Sequence, residues 1–581
     1  MIPFPEGQPL QNNRNLLLAL VLSAAVIFGW SFLSQRLFPT PPPPVAGAKG
    51  SAGPGTQPYT PASPGLAPAP AALRDRAAVL AETPRVPIRT PRVEGSINLV
   101  GARIDDLVLK NYRETIKPGA QPIHLLSPAG TPGEYLASFG FAGAGAPGPD
   151  ARWTVASGDV LAPGKPVTLA TEAAGGARYE LTFAIDDGYM VTATARVANR
   201  GAAPIAAQPY ALITRTDPEK EPSEGHTGPV GAWDGKHFAD SWKDIRSSDG
   251  QKKVLSGAPG WLGFSDQYWL TALIPDGQSD AAIRFSAPAR FQADLTRPPV
   301  MVGPGMQATQ TFRLFAGAKE VDLLDRYKSQ LNIPLFDLAN DWGWFKVIAK
   351  PLFELLSWLF RALGNYGLAI IALTFLVRLA LFPIANKQYQ SMNKMRVLAP
   401  KLKDIQERHK GDQEGLQKAM MEFYQKEKVN PVSGCLPILL QLPIFFALYK
   451  AFSISIEMRH APFALWIRDL SAPDPVTPVN LFGLLPFTPP HAIAIGVLPI
   501  LVGLTSFLQI KLNPPAPDPM QQKIFSFMPV VYTFIMAPFA AGLQLYWFTN
   551  NVLGIAQQWW LMRRHPAPPS GAGKPAAARA K

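Results

Sequence analysis

GLAIIALTFLVRLALFP, residues 367 to 383, decides what class of molecule this chain is: an apolar run interrupted by one ionised side chain, Arg378. No carboxylate in the run can neutralise it. A lone arginine near the middle of a lipid-facing helix costs about 2.5 to 3.5 kcal/mol on insertion scales, so it is expected to face a bundle interior or a wet cavity. The ordinary alternative is snorkelling, since at 1.5 Å per residue the helix end beyond Pro383 is only about 10 Å away.

Working outward, five more apolar runs have spanning character: 16–33 behind Arg14, then 436–456, 492–510, 524–539 and 543–561. The last two are read as separate because Pro538-Phe-Ala-Ala-Gly542 breaks them and together they exceed one crossing. Run 16–33 reads as an uncleaved anchor behind a short N-terminus, 1–15. Six spans leave both termini on one side, shared by the 385–435 insertion (10 Lys+Arg, 6 Asp+Glu) and the tail 562–581, whose five cations face no acidic residue. The positive-inside rule makes that side the cytoplasm.

The formal charge of +13 is unevenly spread, because residues 40 to 340 hold 29 cationic and 29 acidic side chains. Much of the proline lies in 39–92, read as an extended periplasmic linker. From 93 to 332 short alternating stretches are broken by Gly, Pro and Asp; YELTFAI and YMVTATARVAN flank Asp186-Asp187-Gly188, a hairpin signal. Strands do not alternate with long helices, which predicts an antiparallel sandwich, with AKEVDLLDRYKSQLN (318–332) helical at its end. One cysteine, Cys435, excludes an internal disulfide and a thiolate metal site.

Residues 342–361 carry Lys346, Lys350, Glu354 and Arg361 apart from most of their apolar positions, the pattern of an interfacial amphipathic helix. The 385–435 insertion divides at Gly411-Asp412 into two helical halves, with Leu398, Leu402 and Ile405 on one stripe and Leu416, Met420 and Phe423 on the other, which predicts an antiparallel hairpin. Its basic face is either solvated or meets anionic lipid or ribosomal RNA. Loops 457–491 and 511–523 complete the predicted plan, with the first periplasmic and the second cytoplasmic. The fold class is therefore a membrane α-helical bundle of six transmembrane helices plus an all-β periplasmic domain and a cytoplasmic helical hairpin.

Several blocks resemble the YidC/Oxa family of membrane protein insertases, in its Gram-negative form: TFLVR (374–378), SMNKMRVLAPKLKDIQER (391–408), EKVNPVSGCLPILLQLPIFFALY (427–449), APFALWIRDLSAPDP (461–475), DPMQQKIFSFMPV (518–530) and GLQLYW (542–547). The resemblance implies that five spans form an insertase core and that the periplasmic domain is a β-supersandwich related to sugar-mutarotase folds. It implies insertion of newly made proteins through a hydrophilic groove containing Arg378, with Thr374 one turn earlier and Tyr546 as a substrate contact. Gln441, Gln544, Asn550 and Asn551 are further polar groups in spans that would either keep the groove wet or bond helix to helix. Implied partners are nascent membrane proteins, the phospholipid bilayer, and the Sec translocon with its accessory subunits; the ribosome, through hairpin and tail, is a further expectation.

Two positions depart from the family pattern: Lys450 lies inside the third span, and Trp547 stands where tyrosine is common. No Walker sequence is present, so no nucleotide cofactor is expected, nor any metal. A secondary transporter would also place charges in spans, but the later spans show no repeated half. A glycan-acting enzyme would need converging acid/base groups, and His124, His226 and His237 fall in no recognised spacing.

Overall fold

The computed structural model describes residues 73–173, 175–216, 218, 225–248, 252–286, 290–343, 346–409, 411–427, 436–485, 494–512 and 519–564. The expected anchor 16–33, most of the linker, Cys435 and most of the basic tail lie outside them.

Residues 85 to 318 form two antiparallel sheets, one of ten strands and one of nine, packed face to face. Alternation is the reason: along Ala177–Ile185 inward residues such as Tyr179, Leu181 and Phe183 are buried while their neighbours are half-exposed. Phe139 of one sheet meets Phe183 of the other edge to face at 5.6 Å, and Phe141 meets Tyr179 at 4.8 Å. Asp186-Asp187-Gly188 does turn the chain between Ala177–Ile185 and Met190–Asn199. The Asp186 carboxylate accepts from the Gly188 and Met190 amides, and glycine is required because a Cβ there would lie 2.2 Å from the Tyr327 hydroxyl.

The sheet begins earlier than expected. Arg85–Arg89, assigned from sequence to the linker, is a strand pairing with Val93–Asn98, with Val86 and Ile88 buried. Pro87 masks this signal, and it is tolerated because on the outer side of this edge strand Pro87 uses only its carbonyl, which accepts from the Leu161 amide at 2.9 Å.

Ten helices lie among the described residues: α1 (Arg76–Ala81), α2 (Trp242–Ser247), α3 (Val321–Gln330), α4 (Lys346–Leu363), α5 (Tyr366–Arg408), α6 (Gln413–Lys426), α7 (Leu436–Ile454), α8 (Val497–Leu512), α9 (Pro519–Met536) and α10 (Ala541–Arg564). Helix α4 buries Ala349, Phe353, Leu356 and Leu359 and leaves Val347 and Trp358 exposed. Asn365 caps α5, its side chain accepting from the Leu368 amide. With 43 residues, α5 is about 65 Å long, so the apolar run of 367–383 and the first half of the basic insertion are one helix. The chain turns at Gly411, which has φ +95°, and Lys401 pairs with Glu427 beyond the end of α6 at 3.3 Å.

The β domain and the helices share a joint. Ile456, just past α7, is buried in the sandwich core, and Val321, which opens α3, is buried in the helical core. Across it the Val321 amide donates to the Glu457 carboxylate at 2.9 Å, and Gln267 Nε2 donates to the Ser453 carbonyl at 2.9 Å.

Candidate functional site

Arg378 points from α5 onto one face of α10. Its Nε donates to the Asn550 side-chain carbonyl at 2.8 Å, one terminal nitrogen donates to the Asn550 backbone carbonyl at 2.8 Å, and the other reaches Gln557 Oε1 at 3.3 Å. Asn550, Gly554 and Gln557 follow one another at intervals of four and three, so they line a single helix face. Glycine at the middle position makes room for this contact: a Cβ on Gly554 would sit 2.9 Å from the guanidinium and 3.1 Å from Gln509 Nε2, so a larger residue would push both side chains aside. Among the described residues the cation has amide partners and no carboxylate partner. It is half-exposed, and beside it on α5 Phe375 and Leu379 are exposed.

The other residues singled out from the sequence distribute around α10. Tyr546 is buried and its hydroxyl accepts from Gln441 Nε2, which joins α10 to α7. Thr374 is buried, with its hydroxyl donating to the Ile370 carbonyl at 2.6 Å within its own helix. Gln544 is fully buried and donates to the Met536 carbonyl at 2.9 Å and the Phe539 carbonyl at 2.7 Å, so it stitches the break between α9 and α10. Asn551 faces α8, donating to Ser506 Oγ at 2.9 Å and Thr505 Oγ1 at 3.1 Å. Asn550 is thus the one of these four amides that touches Arg378, while Gln557, Gly554 and Gln509 enter the site unannounced. The spacing of Asn550, Gly554 and Gln557 was the available signal.

Trp547 packs edge to face on Phe445 at 5.1 Å. Lys450 bonds Asp341 at 2.8 Å, which satisfies it from the segment that precedes α4. In the β domain His226 bonds the Pro229 carbonyl at 3.2 Å, and burial pushes His226 and His237 below the usual imidazole range.

Comparison with known proteins covers nearly the whole chain. Residues 85–355 match the family described as YidC periplasmic domain, and residues 358–568 match the 60Kd inner membrane protein family. The membrane protein insertase YidC of Zymomonas mobilis is 46% identical over 567 residues, 96% of each chain. Its counterparts in a Methylobacterium species and Rhizobium meliloti are each 42% identical, covering 95% and 96% of this chain and 96% of each relative. Among solved structures, an active YidC insertase with its first transmembrane domain resolved is 17% identical at a TM-score of 0.35, covering 82% of this chain and 95% of that one.

Proposed function

We propose that this chain, which belongs to the YidC family of membrane protein insertases, does its work along the polar face that Arg378 shares with α10. As a family member it is an inner-membrane protein insertase and not an enzyme, with a periplasmic β-sandwich domain followed by a helical region. The observation that carries the reading is a guanidinium that, among the described residues, is bonded only to amides, within a helix otherwise fit to span a membrane. Amides solvate the cation without cancelling it, and arginine does not lose its proton in proteins. The result is a fixed positive charge partway into an oily layer. Gln557 adds a donor, because its buried Nε2 has no acceptor among the described residues.

A charge held there shortens the apolar path that a polar tail must cross. It also attracts an acidic tail: at about 8 Å and an effective dielectric of 20 the attraction is about 2 kcal/mol. The apolar segment of the substrate then leaves into lipid past Phe375 and Leu379, driven by burial of its own surface. In this reading α5, α7, α8, α9 and α10 are the five core spans, the anchor at 16–33 is the sixth, and both termini are cytoplasmic. The far half of α5 with α6 forms the cytoplasmic hairpin, available with the basic tail to a translating ribosome, while α4 lies on the periplasmic surface. The Sec translocon is the proposed partner for longer substrates.

Insertion into proteoliposomes tests the proposal. Arg378→Ala should slow a single-span substrate with an acidic translocated tail by about tenfold and spare a neutral-tailed one, as expected for a lost interaction near 1.4 kcal/mol. The same change relative to wild type for both substrates, or no change for either, would overturn the electrostatic role.

A further inference from the structure

A cavity of about 1030 Å³ opens at the joint, between the hairpin of strands Arg103–Arg113 and Pro122–Leu126 and the segment that follows α7. Its walls carry Arg113, Lys117, Arg459, His460 and Arg468. Lys117 and Arg468 are exposed and enter no ion pair among the described residues. Arg459 gives one N–H to the Glu114 carbonyl at 3.2 Å and lies over the rings of Tyr268 and Trp269, and Arg113 gives one to the Ala120 carbonyl at 3.3 Å. The one carboxylate in the lining, Glu457, is already engaged by the Val321 amide and the Ser455 hydroxyl, and burial pushes it up to about 7. Asp469 is nearby, accepting from Ser471 and the His460 amide through one oxygen and lying 3.8 Å from His460 Nε2 with the other, so the positive character of the walls comes from Arg113, Lys117, Arg459 and Arg468. The cavity is therefore donor-rich and positive.

Its depth follows from the same segment, which covers the ends of α5 and α10 nearest the β domain. Asn365 donates to the Phe463 carbonyl at 3.0 Å, and the Gly542 amide donates to the Leu470 carbonyl at 2.8 Å. Those helix ends mark where hydrocarbon gives way to headgroups. Exposed apolar side chains lie next to these cations in sequence, Ile116 beside Lys117 in the lining and Leu465 three residues before Arg468 outside it, and Leu465 is 88% exposed. Cations next to exposed apolar residues at a helix end are the composition of a membrane interface.

We propose that this cavity binds the headgroup phosphate of an anionic phospholipid of the periplasmic leaflet, held between the β-domain hairpin and the segment after α7. One lipid then touches both halves of the protein and fixes the β domain against the membrane surface. The site depends on the inner-membrane location and not on the role of Arg378.

The full-length protein in nanodiscs, with photoactivatable phosphatidylglycerol and photoactivatable phosphatidylcholine compared, tests this by mapping crosslinked peptides. Wild type should crosslink phosphatidylglycerol within 111–120 and 456–468. The double variant Lys117→Gln/Arg468→Gln should lose about tenfold of that signal, since each basic group near an anionic surface contributes to binding. Both residues are exposed and unpaired, and an unchanged melting profile confirms that the variant folds. Arg378→Ala should keep the crosslinks whatever it does to insertion, which separates the two proposals. Equal labelling by phosphatidylcholine, unchanged labelling in the double variant, full displacement by inorganic phosphate, or displacement by an acidic peptide would each overturn the lipid site.

Discussion

The cations of the β-domain interior and Arg378 of the helical half are held by different kinds of partner. In the β domain most meet a carboxylate: Arg290 bonds Glu134 at 2.8 Å with both side chains nearly inaccessible, Arg215 bonds Asp266, and Arg92 takes both oxygens of Glu320. In the helical half Arg378 meets Asn550 and Gln557. A carboxylate cancels the charge and makes the pair a structural fastener, whereas amides hold the group while leaving its field intact. Two cations of the β domain depart from this: Arg297 donates to the Gln310 side-chain carbonyl at 2.9 Å, and Lys319 is buried with the Ser265 hydroxyl at 3.0 Å and no bonded carboxylate among the described residues, where burial pulls it down to about 8. A lysine so placed can shed its proton, but an arginine cannot. That difference is why the groove cation has to be arginine if the field is what matters.

Breaking the strongest fastener should have the largest effect. Glu134→Ala removes the carboxylate that pairs with Arg290 in the β core and is expected to cost about 3 to 5 kcal/mol in thermal unfolding. Arg378→Ala should cost less, about 1.5 to 3 kcal/mol, because it removes hydrogen bonds to neutral amides and leaves no unpaired charge behind. A comparable loss from both would erase the contrast between the two regions.

Next in size is Gly554→Leu, which places carbon where the guanidinium lies and should cost about 1 to 3 kcal/mol while slowing acidic-tailed substrates as Arg378→Ala does. Unchanged insertion would show that Arg378 need not rest on α10.

Lys319 offers a pH test. Its folded pKa is lowered, so the native state binds fewer protons than the unfolded chain between about 8 and its ordinary value, and stability should rise with pH there. From pH 7 to pH 9 the gain attributable to Lys319 is about 1 kcal/mol, and Lys319→Met should remove it from the difference in unfolding free energy. A pH dependence identical in the variant would mean that Lys319 stays charged.

The smallest effect is expected at Lys450 and Asp341. Both are partly exposed, so a double-mutant cycle with Lys450→Met and Asp341→Asn should give about 0.2 to 1 kcal/mol. A much larger coupling would make this pair a third kind of site, a desolvated latch between the helices and the β domain.

Local physics made much of this legible before any coordinates. The Asp186-Asp187-Gly188 turn, the alternation of 177–185 and the spanning character of 367–383 need only neighbouring residues, and each is where the sequence puts it. Legibility failed at Arg85–Arg89, where Pro87 hid an edge strand, and at the continuity of α5 into the basic insertion, because Pro383 read as the end of the span but is accommodated within the helix. It failed also for the amides. Gln544, Asn550 and Asn551 share one helix and similar chemistry, yet they serve a helix break, a cation and a neighbouring helix.

By itself the sequence determined that an arginine incapable of losing its charge lies in an apolar helix, and that a charge-balanced β domain precedes that helix. Only the tertiary structure decided what the arginine meets. Asn550 and Asn551, one position apart, differ by about 100° around the axis of α10, and Gln544, six positions earlier, lies on a different face again, so the rotation that packing imposes on α10 against α5 and α8 chooses Asn550 over Asn551. No neighbour in sequence carries that rotation, because it is set by contacts between segments some 170 residues apart.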